Sequence, residues 1–148
     1  MPYEHGFIGG FAAPRPQFVD IDGDGTFDLF VPERSNQLMY LENVGTPGEP
    51  RYEWRTDRSQ GLEAGEWTRF VDMDGDGLVD LLAEEPYNYV RVYRNEGTAA
   101  EPRFEPDPSL EFELHPYGAP AFADLTGDGV AELVAGGASG GLIYFERR

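Results

Sequence analysis

Short apolar runs separated by turns rich in Gly, Asp, Asn and Pro recur along the whole chain. One set of runs covers 27–31, 79–83 and 130–134, and a second set, which alternates apolar and polar residues, covers 38–41, 89–93 and 142–145. Runs of this length rich in Val, Phe, Tyr and Leu are typical of β-strands. No window keeps the spacing of an amphipathic helix together with helix caps. The pattern therefore predicts an all-β protein.

One acidic segment occurs three times at a constant interval. It reads FVDIDGDGTFDLFV at 18–31, FVDMDGDGLVDLLA at 70–83 and FADLTGDGVAELVA at 122–135, so that its copies lie 52 residues apart. The Asn-x-Gly-Thr and Glu-Pro-Arg-aromatic residues of 43–52 also recur at 95–104. A period near 50 residues with about four short strands is typical of a β-propeller blade. We therefore predict a single half-propeller domain of three blades, with units of approximately 1–52, 53–104 and 105–148.

The acidic segments have the ligand spacing of a metal-binding loop. Oxygen atoms at positions 1, 3, 5, 7 and 9 surround one point, with a backbone carbonyl at position 7 and a turn-forming glycine at position 6. The predicted ligands are Asp20, Asp22, Asp24, Thr26 and Asp28 in the first loop and Asp72, Asp74, Asp76, Leu78 and Asp80 in the second. Hard oxygen donors without His or Cys favour Ca²⁺ over other cations.

The third loop keeps the spacing but changes two side chains. Its predicted ligands are Asp124, Thr126, Asp128, Val130 and Glu132. A hydroxyl replaces one carboxylate, which predicts weaker binding and two to three Ca²⁺ ions per chain. An EF-hand would need Glu at position 12, where Val31, Ala83 and Ala135 stand instead.

Composition excludes several classes of function. The chain of 148 residues has 28 acidic and 11 basic side chains, and every basic one is arginine. A formal charge of -17 argues against nucleic-acid binding and against a polybasic membrane patch. The absence of cysteine excludes disulfides and zinc–thiolate sites. No signal peptide or apolar run of membrane-spanning length is found.

The chain resembles a known family of repeat proteins. The acidic loops, the Ala-Pro-Ala-Phe-Ala-Asp run at 119–124, the Tyr-x-x-Asn run at 40–43 and the Asn-x-Gly-Thr turns are similar to FG-GAP/VCBS-type repeats, the calcium-binding blades of integrin-alpha-like propellers. The resemblance implies that each loop joins the first two strands of a blade and that its calcium is structural. Thr126, Glu132 and the number of units depart from the family pattern.

Two other classes of function compete with the calcium-binding prediction. A lectin-like carbohydrate-binding module would stack sugars on aromatic residues such as Trp54, Trp67, Tyr87, Tyr89 and Tyr117. An enzyme would need a catalytic constellation that departs from the repeat. The Gly-x-Ser-x-Gly pattern around Ser139 is followed by a strand instead of the helix that a nucleophile elbow requires. His5 and His115 have no partner at an informative spacing.

We therefore expect a non-enzymatic calcium-binding scaffold or recognition module, extracellular or cell-surface in its parent protein; a propeller fragment or a design made to study blade assembly is the other alternative. Three blades are too few for a ring, because propellers have about 4 to 8. Two copies would give a six-bladed homodimer. The third unit is expected to lack the outer strand provided by 51–54 and 103–105, and Met1–Phe11 is expected to cover that gap.

Overall fold

The computed structural model describes residues 14–85, 89–114, 120–137 and 140–145, and these form three antiparallel sheets with little helix. The first sheet contains β1 (Gln17–Val19), β2 (Asp28–Glu33), β3 (Gln37–Asn43) and β4 (Tyr52–Thr56). The second contains β5 (Thr68–Val71), β6 (Asp80–Glu85), β7 (Tyr89–Asn95), β8 (Phe104–Pro106) and β9 (Phe112–Glu113). The third contains β10 (Pro120–Ala123), β11 (Glu132–Gly136) and β12 (Leu142–Phe145). The all-β prediction is confirmed.

Each sheet is a meander in which consecutive strands pair. The orders are β1-β2-β3-β4, β5-β6-β7-β8 and β10-β11-β12, and β9 adds a short second pairing to β7. Two short 3-10 helices are present in the described residues: Ser59–Gly61 lies in the connection from the first sheet to the second, and Pro108–Leu110 lies between β8 and β9 of the second sheet. Within the described ranges no helix is both long and apolar enough to cross a membrane. This arrangement is consistent with propeller-like blades.

The acidic loops lie where the resemblance implied, between the first two strands of each sheet. Gly25, Gly77 and Gly129 at position 6 have φ of 85°, 86° and 87°. L-residues rarely adopt this left-handed region, so glycine is what allows the loop to turn back toward its second strand.

A turn that recurs between the third and fourth strands of the first two sheets explains the Asn-x-Gly part of the repeat. The Asn43 side-chain oxygen accepts hydrogen bonds from the Gly45 and Arg51 backbone N–H groups at 3.1 and 3.0 Å, and Asn95 does the same for Gly97 and Arg103. A Cβ on Gly45 would lie 2.3 Å from the Glu49 carbonyl oxygen. The close approach therefore requires glycine, and the amide side chain holds the fourth strand in place.

Two apolar clusters fill the spaces between sheets. We call the cluster between the first and second sheets the first junction, and the one between the second and third sheets the second junction. Adding 52 to ten residue numbers of the first junction gives ten residue numbers of the second. Val19, Ile21, Phe30, Leu38, Tyr40, Leu62, Phe70, Leu81, Ala83 and Tyr93 correspond to Val71, Met73, Leu82, Val90, Val92, Leu114, Phe122, Leu133, Ala135 and Phe145. The sequence repeat is thus also a packing repeat.

The far side of the third sheet is exposed. Cross-strand pairing places Ala121, Val134 and Tyr144 on one face, together with Leu142, which is 78% exposed. The corresponding faces of the first and second sheets are buried in the two junctions. The third sheet therefore presents to solvent a surface that its neighbours use for packing.

Candidate metal sites in the acidic loops

The three loops share a frame of hydrogen bonds between carboxylates and their own backbone. At position 1, Asp20, Asp72 and Asp124 each accept from the glycine N–H at position 6, at 2.9 to 3.0 Å. At position 5, Asp24, Asp76 and Asp128 each accept from the N–H at position 7, at 2.7 to 2.9 Å. These bonds fold the loop around its acidic side chains, so position 7 residues Thr26, Leu78 and Val130 stand in equivalent places.

The ninth position ties each loop to its sheet. Asp28 accepts from the Asn43 N–H at 2.7 Å, and Asp80 accepts from the Asn95 N–H at 2.9 Å. Both carboxylates are almost fully buried. Burial raises the pKa of Asp28 and of Asp80, although the Asn43 and Asn95 N–H groups act in the opposite direction. These aspartates are therefore fixed by the fold before any ligand is considered.

The first loop brings three carboxylates close together. Carboxylate oxygens of Asp20, Asp22 and Asp24 lie within 4.8 Å of one another. The Asp20 Oδ1 atom is buried and has no hydrogen-bond partner among the residues that the structure describes. A buried carboxylate oxygen without a donor is unfavourable, and a bound cation would remove the penalty. The donor set, three carboxylates with hard oxygens, fits Ca²⁺.

The second loop also gathers three carboxylates, those of Asp72, Asp74 and Asp80, within 4.8 Å. Here, however, an arginine contributes positive charge. The Arg94 guanidinium forms an ion pair with Asp74, and its Nε lies 3.7 Å from Asp80 Oδ1. The residue at the same repeat position in the first sheet is Glu42, which pairs with Arg55 instead. The donor set fits Ca²⁺ here too, but the second loop carries part of its countercharge within the chain.

The third loop satisfies its carboxylates internally. Asp124 accepts from the N–H groups of Gly127, Asp128 and Gly129 at 2.6 to 3.2 Å. The Gly129 and Gly127 N–H groups lower the pKa of Asp124. The longer Glu132 side chain reaches the Leu125 N–H at 2.7 Å and the Thr126 hydroxyl at 3.3 Å. Among described residues, no close group of three acids forms in this loop.

Sequence reasoning did not identify Arg94 as part of a loop. Two signals were available, namely the alternation of β7 and the position of Arg94 beside Asn95 in the repeat. The equivalent residue of the first sheet is the acidic Glu42, so the repeat gave no indication of a basic residue there. The prediction that Trp67 could stack on a sugar is wrong, because this side chain is 3% exposed in the second junction. Trp54 and Tyr89 are half exposed, on different sheets. Met1–Phe11, His5, Tyr87, His115, Tyr117 and Ser139 lie outside the described residues.

The comparisons with known proteins agree with the repeat. Residues 72–135 match a family model described as an FG-GAP-like repeat, which spans the second loop, the third loop and much of the second junction. No curated protein matches the chain. The family match confirms the resemblance inferred from the acidic loops.

Proposed function

We propose that this FG-GAP-type repeat protein is a non-enzymatic, calcium-stabilised propeller module that acts as a scaffold or recognition surface outside the cell. The observation that carries the proposal is the first loop, where three carboxylates converge and the buried Asp20 Oδ1 has no hydrogen-bond donor in the described part of the chain. Asp20, Asp22, Asp24 and Asp28, with the Thr26 carbonyl, would hold the first ion. Asp72, Asp74, Asp76 and Asp80, with the Leu78 carbonyl, would hold the second.

Charge supports an extracellular setting for these sites. The loops contain 11 of the 28 acidic residues, and three bound Ca²⁺ ions would change the formal charge from -17 to -11. Loops of this kind in extracellular modules bind Ca²⁺ with dissociation constants of about 10⁻⁴ to 10⁻³ M. Such sites are filled where calcium is near millimolar. The ion is structural in this proposal, because binding to the folded chain alone stabilises it by mass action.

Calcium removal tests the proposal. A hundredfold excess over the dissociation constant adds about 2.7 kcal/mol, which corresponds to about 5–10 °C in melting temperature for a domain of this size. EDTA should lower the melting temperature by that amount and excess Ca²⁺ should restore it, as measured by circular dichroism. The Asp22→Asn variant should lose much of the response, whereas Glu111→Gln, at an exposed acid outside the loops, should keep it. A melting curve indifferent to calcium would refute the structural role.

For assembly, we propose a six-bladed homodimer. The support is the exposed face of the third sheet with Leu142, and the exposed Phe18 and Tyr52 rings, 6.2 Å apart, on the outer face of the first sheet. The centre of that outer face, Val31, Met39 and Leu41, is buried. Apolar faces left open by a repeat array favour association. A twofold arrangement would bring both kinds of end face together at once.

Light scattering tests the dimer directly. The wild-type chain should have about twice its mass of 16.5 kDa, and Leu142→Glu should shift it toward the monomer. Glu111→Gln should leave the mass unchanged. A wild-type chain that stays monomeric at micromolar concentration would exclude the dimer without affecting the calcium proposal.

A further inference from the structure

An apolar cleft of about 180 Å³ opens between the second and third sheets, beside the second junction. The described residues that line it are all apolar: Met73, Leu110, Phe112, Phe122, Ala131, Leu133 and Phe145. An engineered apolar cavity of about 150 Å³ in another protein, lined by Leu, Ile and Phe, binds benzene. The cleft, which we call the aromatic cleft, therefore has the volume and the lining to hold one aromatic ring.

The first junction holds a ring of the chain itself at the equivalent place. Phe70, Leu81 and Tyr93 share one face of the second sheet by cross-strand pairing. Phe104 is buried in the same cluster, and its ring centroid lies 6.3 Å from that of Phe70. Adding 52 to the three paired residues gives a row on one face of the third sheet that lines the aromatic cleft: Phe122, Leu133 and Phe145. Phe104 itself has no counterpart among the described residues of the second junction, so the aromatic cleft corresponds to the place of its ring.

One difference between the two junctions makes the cleft apolar. In the first junction, the Gln60 side chain donates to the Pro102 carbonyl and accepts from the Phe104 N–H, both at 2.9 Å. Phe112 stands at the same repeat position beside the second junction, and its ring centroid lies 6.2 Å from that of Phe145. A phenyl ring thus lines the cleft where the first junction has an amide, and a bound aromatic ring gains further contacts of this ring–ring kind.

The surroundings of the cleft disfavour an anionic ligand. Glu111 and Glu113 flank Phe112 in the chain and are exposed, and the whole chain has a formal charge of -17. None of the described lining residues has a side-chain donor that could pair with a buried carboxylate. Because burying an unpaired charge is strongly unfavourable, the preferred ligand is a ring without a negative charge.

We propose that the aromatic cleft is a binding site for a small neutral aromatic molecule, namely a single benzene ring with at most a short apolar substituent. The ring packs against Phe112, Phe122 and Phe145 and occupies the place that Phe104 fills in the first junction. Binding is driven by the removal of apolar surface from water and by the ring–ring contacts. This site goes beyond the calcium and dimer proposals, and neither of them depends on it.

Toluene and benzoate, which carry the same ring, test the ligand class. Added to the isotope-labelled wild-type chain in excess calcium, toluene should shift the amide resonances of Phe122, Leu133 and Phe145 in a saturable way, with a dissociation constant below about 1 mM. Benzoate should bind at least about tenfold more weakly, because its carboxylate finds no donor in the cleft. The absence of saturable shifts with toluene, or equal binding of the two compounds, would overturn the proposal.

Two chain variants at one repeat position locate the binding. Ala131→Phe places a ring in the cleft and should weaken toluene binding at least about tenfold, because the space for the ligand is filled. The first acidic loop carries Phe27 at the equivalent position, so a loop of this kind accommodates the larger side chain. Val79→Phe makes the matching change in the second loop, away from the cleft, and should leave toluene binding unchanged.

A third variant covers the case in which Ala131→Phe does not fold. Phe112→Gln introduces the residue that the first junction has at this position, and it should weaken toluene binding several-fold by removing one ring from the lining. If Ala131→Phe and Phe112→Gln both bind toluene as the wild type does, the ring binds elsewhere and the proposal is wrong. It is equally wrong if toluene does not bind and the cleft resonances instead change with chain concentration, because a second copy then occupies the cleft.

Discussion

The first and third acidic loops share the same backbone hydrogen bonds at positions 1 and 5, but their carboxylates differ in how many hydrogen bonds they accept. In the first, the carboxylates of Asp20, Asp22 and Asp24 converge, and one buried oxygen of Asp20 has no donor within the described ranges. In the third, the Asp124 carboxylate accepts hydrogen bonds from three backbone N–H groups. The Glu132 carboxylate accepts one from a backbone N–H and one from a hydroxyl. The number of acidic residues in a loop therefore does not by itself define a cation site. The number of carboxylate oxygens that accept no hydrogen bond from the chain matters more.

The second loop stands between these two cases. It gathers three carboxylates as the first loop does, but Arg94 pairs with Asp74 and approaches Asp80. A guanidinium supplies both positive charge and hydrogen-bond donors, so it offsets the repulsion that a cation would otherwise have to offset. Three loops of one pattern therefore illustrate three ways of balancing acidic charge.

The largest expected difference between the loops follows from removing their first ligand. Asp20→Ala should abolish much of the calcium-dependent rise in melting temperature, a loss of about 5–10 °C if the first site supplies most of it. In EDTA it should lower the melting temperature less than Asp124→Ala does, because Asp20 accepts only the Gly25 N–H whereas Asp124 accepts three N–H groups. Asp124→Ala should show the reverse, with a lower melting temperature in EDTA and an unchanged calcium response. Identical responses of the two variants in scanning calorimetry would contradict the distinction.

A smaller effect should follow from giving the third loop the missing carboxylate. Thr126→Asp restores the Asp-x-Asp-x-Asp spacing of the first two loops, so it should raise the number of bound Ca²⁺ ions by one, as counted by native mass spectrometry. The melting temperature should rise by about 2–4 °C in calcium and fall in EDTA, because the added charge meets Asp124 and Asp128. Thr46→Asp, at an exposed turn, is the control and should change neither the number of bound ions nor the response of the melting temperature to calcium. An unchanged ion count in Thr126→Asp would show that Glu132 or the backbone, and not charge, limits this loop.

The smallest net effect is expected at Arg94. Arg94→Gln removes the internal countercharge of the second loop, so the chain should be less stable in EDTA and bind Ca²⁺ there several-fold more tightly. In excess calcium the two changes should largely cancel. Isothermal titration calorimetry separates them, with Arg55→Gln, whose partner Glu42 occupies the equivalent position, as the control. Weaker calcium binding in Arg94→Gln would mean that the guanidinium supports the site instead of competing for it.

The loops and most strands were predictable because their determinants are local. Nine consecutive residues fix each loop through side chains that bind their own backbone, and two-residue alternation marks β3 and β7. The constant interval of 52 residues likewise predicted three sheets and their order along the chain. Where the repeat changes residue type, as at Thr126 and Glu132, the sequence also predicted that the third loop would differ.

Contacts between distant segments were less accessible. Arg94 reaches a loop 20 residues earlier only because β7 lies beside it. Gln60, in a 3-10 helix, accepts from the Phe104 N–H and donates to the Pro102 carbonyl, more than 40 residues away. Trp67, which directly precedes β5, was considered for sugar stacking but is buried, because the sequence does not reveal which side chains of a connecting segment face the neighbouring sheet.

The central position of the second sheet has a consequence for the order in which the molecule opens. Leu81, Leu82, Ala83, Val90 and Val92 are fully buried because neighbours cover both faces of this sheet. In a repeat array each unit is stabilised chiefly by its nearest neighbours, so end units open at lower free energy than a middle one. Amide hydrogens of β6 and β7 should consequently exchange with solvent most slowly, and those of β12 far sooner. The interior sheet is thereby the last structure to be lost as the chain unfolds from its ends.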